Sequence, residues 1–330
     1  MNEILPSISV VIPTYNSEKF LLLCLQSIND QDYPKDKLEI IVVDGGSTDR
    51  TIDIAKGFGV TKILHNPLRT GEAGKALGVK AAKNEIIAFI DSDNILDRKD
   101  WFKCMVKPFQ DEEIIGAEPL YYSYRKTDGY ITRYCALIGM NDPLCLFLGN
   151  YDRYSYLTGK WTELNVKQEE KGGYLKIELN EKAIPTIGAN GFMIRRDILS
   201  KCSIGDYLFD IDIVYELIKQ GYNKFAKVEI GIVHIFSNSI SMFVRKQKRR
   251  IRDYTYYKKL GLRQYPWSSI SKSKLFKFVI YTILLFPLLV QAIRGYAKRH
   301  DSAWFFHILA CLSTLLVYSF VVLVSLSLRK

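Results

Sequence analysis

Over the first 118 positions, apolar residues fall into short runs separated by amphipathic stretches. ISVVIP at 8–13, LEIIVVD at 38–44, KIL at 62–64, EIIAFID at 85–91 and IIGAE at 114–118 are short and rich in β-branched residues, which predicts strands. Between them the pattern predicts helices: 18–28 with leucines on one face, a helix through Lys56 capped by Ser47 or Thr48, 72–83 rich in Ala and Lys, and 99–109. Strands alternating with helices predict an α/β fold with a mostly parallel sheet covered on both faces. Ligands of such sheets sit outside the carboxyl ends of the strands. Three of those ends carry polar signals here: Pro13-Thr14-Tyr15-Asn16, Asp44-Gly45-Gly46-Ser47 and Asp91-Ser92-Asp93.

The pattern then loosens. Residues 119–185 are rich in Tyr and less regular, with a hairpin predicted over 161–179 that turns at Gly172-Gly173. A loop punctuated by glycine at 186–191 feeds a strand and a helix through Leu199. Acids precede a helix over 212–220 that Gly221 ends. Residues 239–262 predict a basic helix with Met242, Phe243, Ile251, Tyr254 and Tyr257 on its apolar faces, a pattern suited to a membrane surface. Two uncharged runs follow, 278–293 and 303–328, the second interrupted only by His307. The second exceeds the about 20 residues that cross a bilayer. The first carries Pro287 and reaches that length only if Phe276 and Lys277 extend it, the lysine snorkelling. The expected division is a sheet domain over 1–238, basic juxtamembrane helices over 239–274 and two transmembrane helices over 275–330.

Charge supports that division. Of the formal net charge of +11, residues 245–274 hold +10 (eleven Lys or Arg, one Asp) and residues 275–330 hold +5, leaving 11 − 10 − 5 = −4 for the first 244. A basic stripe directly before two apolar runs points to membrane lipid as partner and not to nucleic acid. The connection at 294–302 is only +2, while the flank before it and Arg329-Lys330 are more basic. Positive flanks favour the cytoplasmic side. The expectation is a cell-membrane protein with both ends and the sheet domain cytoplasmic and the short connection outside. A re-entrant first segment, or a buried core hairpin, is the alternative. The N-terminal stretch MNEILPSISVVIP does not read as a secretory signal. The six cysteines have no CxxC spacing and read as reduced thiols.

Three acid positions are candidates for chemistry. Asp91 and Asp93 alternate in an extended segment, so both carboxylates can face one ligand. They repel unless a cation lies between them. A divalent ion shared with a diphosphate meets that need. The alternative is a strand-to-helix turn capped by Asp93 or Asn94. Asp44 is placed to accept hydrogen bonds from a nucleobase or ribose, or to close an Asx turn on its own backbone. In LFDIDIVYELIKQG, Asp212 reads as a helix cap, which leaves Asp210 free to act as a general base; two caps is the alternative. His234, after the short strand GIVHIF, is a further metal or phosphate ligand or a structural histidine.

The segments SVVIPTYNSEKFLLLCLQSI, EIIVVDGGSTDRTIDIA, IIAFIDSDN, GANGFMIRRD and FDIDIVYELIKQGY follow one another in the order seen in family 2 glycosyltransferases of the GT-A fold, and the chain resembles that family over about residues 7–235. The resemblance implies that Pro13, Thr14, Tyr15 and Asp44 line a nucleoside pocket. It implies that Asp91, with Ser92, meets the ribose or a metal-bound water, and that Asp93 ligates Mn2+ or Mg2+. Gly188, Ala189, Asn190 and Gly191 would form the acceptor-side loop, and Asp210 would be the catalytic base of an inverting transfer. Lys75, Arg69 or a base from 245–252 would help to offset the diphosphate. The family's acid before the base is Phe209 here. The expected reaction moves a sugar from a nucleotide sugar, UDP- before GDP-, to a hydroxyl of a lipid-linked or other membrane-proximal glycan. Transfer to a polyprenyl phosphate is the alternative, and a non-catalytic membrane scaffold that kept the fold is the alternative of another class.

Overall fold

The computed structural model describes residues 5–266 and 271–327. Leu328 and the Arg329-Lys330 flank lie outside the described residues, as do the first four residues and 267–270. The chain forms two compact units, one of Met1–Ser123 with Asn165–His234, the other of Tyr124–Leu164 with Ile235–Lys330. Residues 124–164, which the linear division placed in the sheet domain, therefore group with the C-terminal segment.

The first unit holds a ten-stranded mixed sheet. Its strands are β1 (Ile8–Thr14), β2 (Leu38–Asp44), β3 (Lys62–His65), β4 (Ile86–Phe89), β5 (Asn94–Ile95), β6 (Gly116–Tyr122), β7 (Lys167–Glu170), β8 (Tyr174–Glu178), β9 (Phe192–Arg195) and β10 (Lys224–His234). The order is β3-β2-β1-β4-β9-β6-β10-β8-β7, with β5 paired to β10. The first four strands in that order run parallel, as do β6 and β10, whereas β9 enters antiparallel between β4 and β6. The apolar runs that predicted strands are the buried ones: Ile8, Val10, Val11, Ile12, Ile41, Val42 and Val43 are fully enclosed. The hairpin of β7 and β8 turns at Gly172 and Gly173, whose φ of +61° and +101° only glycine adopts at low cost.

Helix α1 (Glu18–Asn29) packs on α2 (Thr51–Gly57) and β5, α3 (Gly71–Ala81) on β1 and β2, and α4 (Trp101–Val106) on β6 and β10. The second begins later than the sequence suggests. Ser47 and Thr48 are engaged elsewhere, the first by Asp44 and the second by Asn16, and Asp49 accepts from the Thr51 N–H instead. Thr70 caps the third, its hydroxyl accepting from the Ala73 N–H.

The second unit is helical. It contains α5 (Tyr130–Ile138) and α6 (Leu144–Leu148), both within the stretch that read as irregular. After α7 (Arg196–Leu199) and α8 (Asp210–Lys219) of the first unit come α9 (Ile240–Lys259), α10 (Lys272–Leu284), α11 (Phe286–Lys298) and α12 (Phe306–Ser327). Its core joins Tyr134, Phe147, Phe243, Phe278, Trp304 and Phe306. The apolar face of the basic helix α9 is thus partly used by protein: Phe243 meets Phe306 edge-on at 5.2 Å.

Among the described residues one helix is long and apolar enough to cross a membrane, over Ser302–Ser325. The expected first span is not a straight helix. Its apolar run folds as α10 and α11, bent by 92°. The cause is local: Pro287 has no N–H and its ring clashes with the carbonyl four residues back, and Leu285 takes a φ of +59°.

Candidate active site

Apart from the basic residues 245–252, the singled-out site residues lie in the first unit, at the carboxyl ends of β1, β2 and β4 and on the chain that faces them. Parallel register sets Thr14 beside Asp44. Asp44 is buried and closes its own loop: one carboxylate oxygen accepts from the Gly46 and Ser47 N–H groups at 2.8 and 2.9 Å, the other from the Ser47 hydroxyl. It therefore forms the Asx turn weighed above. Asn16, at φ +47°, ties the two strand ends together; its N–H donates to Ser47 Oγ and its Oδ1 accepts from the Thr48 N–H, each at 2.8 Å. Beside them Thr14 Oγ1 is buried with no hydrogen-bond partner among the described residues. A buried hydroxyl left in that state is costly unless something fills it, and this one sits at a strand end. Pro13 is half-buried and Tyr15 exposed at the same rim.

The turn after β4 is built by Asn94. Its Oδ1 accepts from the Asp91 N–H at 3.0 Å and its own N–H donates to the Asp91 carbonyl at 2.9 Å. Asn94 is not a helix cap, as the sequence allowed, because it lies in β5; α4 starts seven residues on, at Trp101. The Asn94 side-chain amide donates to Asn190 Oδ1 at 3.1 Å, and the Asn190 amide donates to Tyr122 Oη at 3.2 Å. This chain links the acidic turn to the 188–191 loop. Ser92 donates to Ser17 Oγ at 3.2 Å.

His234 comes to the same turn by register. The antiparallel pairing of β5 and β10 sets His234 opposite Asn94, and its Nε2 lies 3.5 Å from Asp93 Oδ1. The Tyr122 ring flanks it at 5.5 Å. Among the described residues no three His, Cys, Asp or Glu side chains form a cluster that could enclose a metal ion. Two donors, one carboxylate and one imidazole, are nonetheless the protein share that suits an ion whose other ligands are water and substrate phosphate. The residues present fit Mn2+ or Mg2+ on that basis.

Asp210 opens α8. It lies in the first turn, with Phe209 as the N-cap residue. Asp212 is not the cap either; it is buried within that turn. Phe209 stacks on Tyr207, the ring centroids 6.1 Å apart. Lys75, from α3, meets both oxygens of Asp210 at 2.8 and 2.9 Å. The sequence assigned Lys75 to the diphosphate; in this structure it is committed to the carboxylate. The lysine side chain is 8% exposed and the aspartate 28%, so the pair is open on the acid's side. Enclosure pushes the Asp210 carboxyl up, to about 6, against the pull of Lys75 and with help from Asp91 and Glu72. Burial works against the Lys75 cation too, but Asp210 and Asp91 outweigh it and hold its pKa above the usual lysine value.

The 188–191 loop fits against this pair. Gly188 has a φ of +117°, and a Cβ there would fall 2.8 Å from the Asp210 Cβ, so only glycine permits the approach. Gly191 is likewise hemmed in by Ile232, Trp101 and Pro119, and Ala189 lies between Gly188 and the buried Asn190. Beneath the loop is a pair that sequence reasoning missed. Lys227 on β10 meets Glu118 on β6 at 2.6 Å, both fully enclosed, and the other Glu118 oxygen lies 3.5 Å from the Gly188 N–H. Arg69, at φ +59°, is exposed beside Gly45 and Gly46. The basic residues 245–252 belong to the second unit.

Comparison with known proteins now bears on this geometry. The model of the family described as "Glycosyl transferase family 2" matches residues 9–202. Among curated relatives, a glycosyltransferase, GlyG, of Streptococcus pneumoniae is 35% identical over 127 residues, 37% of this chain and 41% of that protein. A dolichyl N-acetyl-α-D-glucosaminyl phosphate 3-β-D-2,3-diacetamido-2,3-dideoxy-β-D-glucuronosyltransferase of Methanococcus voltae is 33% identical over 109 residues, 31% of this chain and 34% of that one. The chain spans less than half the length of these relatives. Among solved structures, the mannosyltransferase PcManGT of Pyrobaculum calidifontis, solved with GDP-Man and Mn2+, superposes with a TM-score of 0.55 at 15% identity, covering 96% of this chain and 88% of that one. At that identity the likeness speaks for the fold, the GT-A fold that the motif order led us to expect.

Proposed function

The chain belongs to glycosyl transferase family 2, and from that premise we propose that it transfers a sugar from a nucleotide sugar, with inversion, to a hydroxyl group of a membrane-proximal, lipid-linked glycan. One observation carries the reading. The Lys75–Asp210 pair abuts Gly188, and the same loop is tied through Asn190 and Asn94 to the Asp91–Asp93 turn. A candidate base and a candidate donor site are thereby held on one short loop.

The roles follow from the chemistry of each group. Asp93 and His234 hold Mn2+ or Mg2+, which when bound supplies the positive charge that offsets the leaving diphosphate. Pro13, Thr14 and Tyr15 line the nucleoside side, where Thr14 Oγ1 has hydrogen-bonding capacity to offer. Asp91 and Ser92 face the ribose. Asp210 takes the proton of the acceptor hydroxyl; that oxygen bonds to the anomeric carbon from the face opposite the diphosphate, and the bond to the diphosphate oxygen breaks. A carboxyl raised to about 6 is ionised at neutral pH yet basic enough for this step. Lys75 keeps the carboxylate ionised and oriented.

The presence of a base favours a hydroxyl acceptor, because a phosphate is already an anionic nucleophile. The Methanococcus voltae relative, by its name, acts on a dolichyl-linked N-acetylglucosaminyl phosphate. Uridine is taken as the donor nucleoside, with guanosine the alternative. The test is transfer from labelled nucleotide sugars to an extracted lipid fraction by membranes carrying the full chain, with Mn2+, beside Asp93→Ala and Asp210→Asn. Loss of transfer in both variants and a product stable to mild acid are expected. Variants equal to wild type would point to a non-catalytic scaffold, and an acid-labile product to a polyprenyl phosphate acceptor.

A further inference from the structure

We infer that the second unit is a monotopic anchor, docked on one leaflet of an anionic bilayer and crossing it nowhere. This replaces the hairpin of two spans that hydropathy suggests. It is independent of the catalytic reading, since it uses contacts within the second unit and the continuity of the chain alone.

The connection between α11 and α12 is held by residues of the 124–164 segment. The Arg299 guanidinium lies over the rings of Tyr124 and Tyr156, at 4.0 and 4.6 Å. Asp301 pairs with Arg133 at 3.0 Å, and Tyr130 Oη donates to the Ser302 carbonyl at 2.7 Å. These partners belong to residues 124–164, a segment that leaves the first unit at Ser123 and rejoins it at Asn165. Its helices, of nine and five residues, are far too short to carry it through a membrane and back. The connection at 294–302 must therefore lie on the same side as the first unit. Helices α10 and α11 enter and leave by one face, which their 92° bend makes possible.

Helix α12 is likewise tied to polar groups of its own unit. Tyr318 Oη donates to Asp142 Oδ2 at 2.6 Å, and Arg250 Nη1 is 3.6 Å from that same oxygen. Arg250 lies on α9, which already meets the start of α12 through Phe243 and Phe306. The basic helix thus runs alongside α12 from Phe306 to Tyr318. A spanning α12 would draw Arg245, Lys248, Arg249 and Arg250 into hydrocarbon, at about 2.5–3.5 kcal/mol each near the centre on insertion scales.

The surface left over suits a single leaflet. At the bend, Ile283 is 66% and Phe286 70% exposed, and on α12 Leu316 is 68% and Leu323 65% exposed. Exposed apolar groups of this size, set among the +10 and +5 segments, match acyl chains below and anionic headgroups around.

The experiment uses the full chain in cells and a membrane-impermeant maleimide, with labelling read above that of the parent chain. His300→Cys, in the connection, and Glu112→Cys, in the first unit, are both placed at exposed positions. Both should stay unlabelled in intact cells and be labelled after lysis. Labelling of His300→Cys alone in intact cells overturns the inference, as does its failure to label after lysis. In a second arm, vesicles of 30% phosphatidylglycerol bind the purified chain, and Ile283→Asp with Phe286→Asp should lower binding at least tenfold with the circular dichroism unchanged. Unchanged binding overturns the docking surface; should the double variant misfold, Phe286→Ser alone serves, with a several-fold loss expected.

Discussion

Two lysine–carboxylate pairs of the first unit, Lys227–Glu118 and Lys75–Asp210, differ in one respect. Lys227 and Glu118 are both fully enclosed, while Lys75 is enclosed and Asp210 keeps 28% of its side chain open. The chemistry of the two pairs is the same. The closed pair joins neighbouring strands, since Lys227 and Glu118 are register partners, and nothing outside can reach it. The open pair stands at a helix start beside a loop that only glycine lets approach. A buried charge becomes useful in a reaction when its partner holds it from one side and leaves the other accessible.

Substitutions can break that contrast. The largest effect is expected from Asp210→Asn, which keeps shape and removes the base: transfer should fall about 10²–10⁴-fold, with some loss of thermal stability because Lys75 is then enclosed without that counter-charge. Asp93→Ala should lower transfer by roughly 10²–10³-fold, the size that loss of one charge-stabilising group carries, and added Mn2+ should restore part of it. For the closed pair the expectation reverses. Glu118→Gln leaves Lys227 enclosed without its counter-charge and should cost about 3–5 kcal/mol of stability, read by denaturant unfolding, with transfer per folded molecule within about twofold of wild type. Glu118→Leu with Lys227→Met should recover most of that stability; if it does not, the closed pair has a role beyond neutralising itself.

Lys75→Met sharpens the comparison through pH. Asp210 is active when ionised, so transfer should fall as pH drops through about 6. Removing the cation takes away the one influence that lowers this pKa, so the acid limb should move to higher pH, by roughly one unit or more. A limb that stays in place would assign it to another group. The smallest effect is expected from His234→Ala, which should raise the Mn2+ concentration needed for half-maximal transfer about tenfold and leave the maximal rate nearly unchanged.

The open pair was half legible in the sequence. Asp210 stands in a motif, and the glycines of 188–191 announced a close approach. Its partner was not legible, because Lys75 lies 135 residues away on a helix whose placement depends on the sheet. The closed pair left no trace at all: Glu118 ended an apolar run, Lys227 sat in an ordinary strand, and only the register of β6 against β10 joins them. The strands of the parallel half were readable because each is a continuous buried run. The insertion of β9 between β4 and β6 was not, since pairing order is set by tertiary closure. His234 could be named but not placed, until β5 met β10. In the second unit, α5 and α6 were obscured because their apolar faces are completed by Phe243, Phe278 and Trp304, which lie far downstream in the chain. Pro287 did signal the break between α10 and α11.

That last dependence bears on how the protein is made. Residues 124–164 leave the ribosome long before Phe243, Phe278 and Trp304, so their helices must wait for a core synthesised after the entire sheet. Trimming the chain at 238 to obtain a soluble fragment would remove that core and leave α5 and α6 with bare apolar faces. A workable fragment has to lose the 124–164 excursion along with the C-terminal segment.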